Sequence, residues 1–262
     1  MRDVIAAEWL KTRSLRSTWW ALALTAAVVI GSAAVAAHAD YVNFPSYSLE
    51  EQRTHGFALG DAFPLAGYLV LVVVAASAGA SAMISEYSSG LLRVTAVAVP
   101  ARSELLAAKA VVAAAVWTVA GALTSLTAFA VSQLILAGRD ANASLTGPGT
   151  ATALLAATLI GPVCALVGLA LAVLLRHAGT VYVTGILLLV LAPQLLSTRQ
   201  NVTRELHHTM LIPAWQRLTE AYGPPRFLGS LYTSAVEAWL AYAIWSLIFI
   251  AAALVVHRRR DL

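Results

Sequence analysis

The sequence predicts an all-α integral membrane protein with six transmembrane helices in a single domain spanning 1–262, and three observations predict it. Hydrophobic residues make up 60% of the 262 and charged residues only 11%, with a mean hydropathy of +0.77, whereas a soluble domain carries about 25% charged residues. Six apolar runs, at 19–37, 63–84, 104–137, 150–175, 180–196 and 235–256, match the roughly 20 residues that cross a hydrocarbon layer of about 30 Å. The basic residues gather between alternate runs, which is how multi-pass chains fix their orientation.

The first 18 residues carry Arg2, Lys11, Arg13 and Arg16 against Asp3 and Glu8. As a helix they place Ile5, Ala6, Trp9 and Leu10 on one face with Glu8 and Lys11 opposite, the pattern of an amphipathic helix lying in the headgroup layer. Residues 19–37 form an uninterrupted span. Ala37-His38-Ala39 imitates a signal cleavage site, but the run exceeds an ordinary signal h-region and reads as a retained helix. Residues 40–61 are polar, contain Pro45 and read as an exposed loop. The second span, 63–84, places Ser77, Gly79 and Ser81 where small residues permit close helix packing.

Ser85 to Val112 is a polar and basic interruption between the second and third runs. Ser103 is a suitable N-cap, and Glu104 suits the positive end of the helix dipole. The third run is longer than a bilayer needs and projects beyond it at the basic end. Its Thr124, Thr127 and Gln133 are candidate substrate-pathway residues, although hydroxyls in membrane helices more often bond their own backbone. A loop with Gly147-Pro148-Gly149 leads to the fourth span, and Arg176-His177-Ala178-Gly179 leaves room for a tight turn before the fifth. Residues 197–234 hold Pro213, Trp215, Tyr222, Pro224, Pro225 and Phe227. That content predicts short helices or a partly re-entrant excursion at the interface outside the cell. Arg258-Arg259-Arg260 closes the sixth span at the headgroups.

On alternating topology, both termini, the 2–3 connection and the 4–5 turn share a side that holds 11 basic and 5 acidic residues, against 6 and 8 on the other. The positive-inside rule makes that side cytoplasmic and the protein a multi-pass component of the cytoplasmic (inner) membrane. The basic balance therefore has a cause in topology, and nucleic acid is not an implied partner. The single Cys164 allows no intrachain disulfide. No GxxxxGK[ST], HExxH, CxxC or GxSxG motif occurs. The spans are almost free of ionisable groups, which disfavours an enzyme, a metal centre or a proton relay. A cofactor is not implied in this chain.

Glu86, Tyr87, Gly90, the apolar Leu91-Leu92, Arg93, Pro100, Arg102, the helix start at Leu105-Leu106 and Lys109 together resemble the cytosolic loop of ABC type-2 transporter permeases. The basic N-terminal helix, the six-span order and the long loop before the last span extend the resemblance over the whole chain. Leu91 follows Gly90 where many relatives place Thr or Ser. The resemblance implies the membrane subunit of a bacterial exporter, paired with a second copy of itself and with two copies of an ATP-binding cassette subunit that carries ATP and Mg. It also implies a cytosolic coupling helix between helices 2 and 3, docked on that subunit beside an interfacial helix bearing Ile5, Trp9, Leu10, Lys11 and Arg13 against membrane lipid. In this reading Glu86, Arg93 and Arg102 make charged contacts at the rim of the docking cleft while Leu91 and Leu92 fill it. Gly90 and Pro100 supply the reversals on either side. The chain is then no enzyme, and it moves an amphipathic or hydrophobic substrate outward by alternating access. The alternative is a scaffold or sensor that recruits partners without transport. The excess of Arg over Lys, 15 to 2, is associated with GC-rich bacterial genomes.

Overall fold

The computed structural model describes residues 1–89, 102–196, 201–220 and 234–259, with no strand among them. In chain order these form α1 (Arg2–Ser14), α2 (Arg16–Asn43), the short α3 (Leu49–Thr54) and α4 (Phe57–Gly60), α5 (Leu65–Ser89) and α6 (Arg102–Leu136). They continue with α7 (Thr150–Leu175), α8 (Ala178–Leu195), α9 (Asn201–His208), α10 (Leu211–Thr219) and α11 (Ala235–Arg259). The six long apolar helices are α2, α5, α6, α7, α8 and α11. The chain is a multi-pass membrane protein.

The sequence of α7 dictates its place at the centre. It carries no charge over Thr150–Leu175 and is apolar on every side, so it is stable only where neighbours surround it. Nearly all of its second half is buried, against α5, α6, α11 and α10. Two glycines let α5 cross it at backbone contact. A Cβ on Gly79 would sit 1.9 Å from the Ala165 carbonyl oxygen, and one on Gly168 would sit 1.9 Å from that of Ala76. Reciprocal contacts of this kind replace the hydrophobic driving force that lipid does not supply. The α6–α7 crossing repeats the device at Gly121, beside which Ser125 and Thr158 hydroxyls pair at 3.0 Å. In α8, residues Leu187–Leu191 form a π-helical turn ahead of Pro193, whose ring provides no N–H for an α-helical bond.

The end of the bundle opposite α1 differs from the exposed loop expected over 40–61. α2 runs on to Asn43, and α3 and α4 fold back so that Ala58, Leu59, Ala62 and Phe63 are buried. Ser48 and Glu51 form a capping box at the start of α3, and the Ser48 hydroxyl and N–H, both donating to the Glu51 carboxylate, hold it below its usual range. The Tyr47 hydroxyl donates to Asp40 at 2.8 Å, which pushes the phenol up to about 12. His55, at φ 47°, ends α3.

Short helices do occupy the described part of 197–234, but α10 is more than an interfacial excursion. Leu211, Ile212, Pro213, Ala214, Trp215 and Leu218 are all buried. Trp215 stacks on Tyr68 of α5 at 4.7 Å between ring centroids. α10 is a plug packed into this end of the bundle.

Candidate functional site

At the other end, α5 and α6 are the helices on either side of residues 90–101 in the sequence, and they carry Glu86 and Lys109. These two residues are joined by α1, which packs along α6 and reaches α5 through the Lys11–Glu86 pair. The ammonium of Lys109 donates to Glu86 Oε1 at 2.6 Å and to Glu8 Oε1 and Oε2 at 2.9 and 2.8 Å. Lys11 donates to the same Glu86 oxygen. The side chains of Lys109 and Glu86 are only 1% and 2% exposed, that of Glu8 12% and that of Lys11 35%. Two cations and two anions thus close a neutral quartet that joins three elements distant in sequence. A buried ion pair of this kind contributes little net stability over an apolar contact, because desolvation offsets attraction. What it supplies is register: an α1 displaced by one helical turn would leave buried charges unpaired. Glu86 Oε2 is buried with no hydrogen-bond partner among the described residues.

Two further contacts tie the same corner. The guanidinium of Arg176, in the α7–α8 turn at φ 58°, lies 5.5 Å from the Tyr87 ring centroid. The Met1 ammonium meets Glu104 Oε2 at 3.3 Å in an exposed pair. The corner is therefore contacted from α1, α5, α6 and the α7–α8 turn.

Glu86, expected at the rim of a docking cleft, is buried inside the quartet, where its Oε1 accepts from both Lys11 and Lys109. Tyr87 lies beneath Arg176. Gly90, Leu91, Leu92, Arg93 and Pro100 lie outside the described residues; Arg102 opens α6, and its side chain lies outside them. In α1 the expected faces are rotated. Glu8 and Lys11 turn toward the protein together with half-buried Ile5, while Trp9 and Leu10, at 46% and 61% exposed, and Arg13 turn away from it. The acidic and basic side chains find partners in α5 and α6, which outweighs keeping them in water.

Of the pathway candidates, Thr124 and Gln133 are buried and Thr127 is exposed. The Thr127 hydroxyl donates to the Leu123 carbonyl of its own helix at 2.7 Å. The Gln133 amide donates to the Ala58 carbonyl at 2.8 Å and accepts from the Ala143 N–H, clamping α4 to α6. Sequence reasoning missed Glu8 and Arg176 as members of the corner. The only signal was that both are charged beside apolar spans, where an unpaired charge is costly. Among the described residues no cluster of His, Cys, Asp or Glu is suited to a metal ion.

The family model described as ABC-2 family transporter protein matches residues 4–262. Among curated proteins nothing matches the chain.

Proposed function

Because the chain belongs to the ABC-2 family of transporter proteins, whose members are membrane transport subunits and not themselves catalytic, we propose that it is the permease of an ATP-driven exporter whose coupling corner is the Glu8–Lys11–Glu86–Lys109 quartet. The quartet carries the proposal. A permease without a phosphate-binding loop must receive work from a separate ATP-binding subunit, and it receives it through an element fixed to its spans. The helices before and after residues 90–101 are joined to each other and to α1 by one buried quartet, so work reaching either helix is shared by α5, α6 and α1. α5 is in turn locked against the central α7 at Gly79 and Gly168.

In the working assembly two copies of this chain and two ATP-binding cassette subunits carrying ATP and Mg alternate access along the dimer axis. They move an amphipathic or hydrophobic molecule outward. The quartet faces the cytoplasm, with both termini on that side of the inner membrane. The outward Trp9, Leu10 and Arg13 of α1 then sit at the lipid headgroups, where an aromatic ring and a snorkelling cation are both accommodated.

The test is the permease and its ATPase reconstituted in proteoliposomes, with residues 90–101 replaced by a neutral Gly/Ser linker of equal length. Transport and permease-stimulated ATP hydrolysis should fall to the level of the ATPase alone, with insertion unchanged. Retention of both would refute coupling through this corner. Failure of any ATP-binding subunit to co-purify would refute the permease assignment.

A further inference from the structure

α2 and α5 meet closely where Gly67 abuts Val29 and Ser32, and a cavity of about 430 Å3 lies between them nearer the α1 end. Its wall is divided. Val74, Ala78, Val112, Ala113, Val116 and Ala21 line an apolar body, while Lys11, Glu8 and Thr12 of α1, with Ser17 and Ser85, form its polar side. The volume lies in the range of sites that enclose small ligands, and an apolar body with a few convergent polar groups is their usual composition.

The hydrogen-bond inventory sets the sign of the ligand's head. An ammonium has three N–H donors. Lys109 uses all three, two on Glu8 and one on Glu86. Among the described residues Lys11 donates to Glu86 alone, which leaves two of its donors, and it is the most exposed member of the quartet. Glu8, which lines the cavity with Lys11 and Lys109, has each carboxylate oxygen engaged by Lys109. Unsatisfied donor capacity at the polar side, with both oxygens of the cavity-lining Glu8 already engaged, suits an anion. Arg13 and Arg16, neighbours of Lys11 in sequence, add positive potential at the same end.

We infer that this cavity holds an anionic amphiphile of the bilayer, its phosphate on Lys11 and its chain along α5 and α6. This rests on the permease reading only in naming what class of molecule has access to the coupling corner; the binding itself does not depend on transport. Occupancy adds an anion to a neutral quartet and fixes α1 against α5 and α6, so the bound form is the more stable one.

The purified chain in a neutral detergent is titrated with phosphatidylglycerol, with phosphatidylcholine and with glycerol phosphate, reading thermal unfolding and lipid retention by native mass spectrometry. Phosphatidylglycerol should raise the midpoint by several degrees beyond phosphatidylcholine, and glycerol phosphate should not. Ala113→Phe fills the apolar body and should abolish that difference while leaving the lipid-free midpoint within about a degree. Lys11→Gln should reduce retention of the anionic lipid about tenfold. If Ala113→Phe lowers the lipid-free midpoint, Val116→Leu replaces it, with partial loss of retention expected. Equal stabilisation by the two lipids overturns the head assignment, stabilisation by glycerol phosphate alone overturns the amphiphile, and full retention in Ala113→Phe overturns the cavity. Because none of these readings involves ATP or a partner, a failed coupling test leaves them standing.

Discussion

Lys109 is the residue on which the proposed coupling corner depends most, since among the described residues its ammonium alone bridges Glu8 and Glu86. Lys109→Met leaves Glu86 buried beside a single partially exposed cation, and breaking a buried pair from one side costs about 3–5 kcal/mol. Denaturant unfolding in detergent should show that loss. Adding Glu86→Leu should recover part of it, because the uncompensated charge is gone, while stimulation of the ATPase stays low. That split between stability and coupling distinguishes a transmitter from a plain structural pair. Gly79 is the second sensitive position. Its missing Cβ would meet a backbone carbonyl that cannot swing aside, so Gly79→Val should cost at least about 1–3 kcal/mol. Gly31→Ala, with nothing within 4 Å of the new methyl, should be neutral or slightly stabilising.

The plug formed by α10 and its neighbour α9 is a separate case among the elements. α10 contributes Trp215, 1% exposed and stacked on Tyr68, and Trp215→Ala should cost about 3–5 kcal/mol by the usual cavity term. α9 is held to α11 by the Trp245 indole, which donates to the Thr209 carbonyl at 2.7 Å. His207 in α9 is partly buried, and burial first, then the neighbouring His208, lowers its pKa below the ordinary imidazole value. The folded form therefore prefers neutral His207, while the unfolded chain takes up a proton below about 6.5. Stability from this group is present above that pH and lost as the pH falls through 6.5 toward the lower folded value. Fluorescence of Trp245 should report loosening of α9 on acidification from pH 7.5 to 5.5, and His207→Gln should flatten the response.

For the whole molecule, the two ends of the bundle are chemically different, with the quartet and Arg176 at one and the capped α3, the aromatic cluster of Phe44, Tyr47 and Phe57, and the α10 plug at the other. Cys164 is wholly buried in α7, and burial leaves it unreactive to aqueous reagents. Single cysteines introduced at exposed Ser14 and Glu50 therefore label against a silent background. In intact cells an impermeant maleimide should modify Glu50→Cys and spare Ser14→Cys, and the reverse pattern would invert the proposed orientation.

The existence and number of the long apolar helices were legible in the sequence. A span is defined by length and apolarity along one segment, and the cost of an unsatisfied backbone in lipid leaves a helix as the one local solution. The same local logic marked Gly79 as a close-packing position and located the interruption beginning at Ser85. Tertiary structure alone decided which way the charges face. Glu8, Glu86 and Lys109 belong to three separate segments, and their pairing depends on the rotation of α1 about its axis and its height along α5 and α6. No local pattern encodes those quantities. For the same reason Trp215 read as an interfacial aromatic until its partner, Tyr68, was placed beside it. Burial of a polar or amphipathic group is settled by the neighbours that satisfy it, and those neighbours are brought together only by the fold.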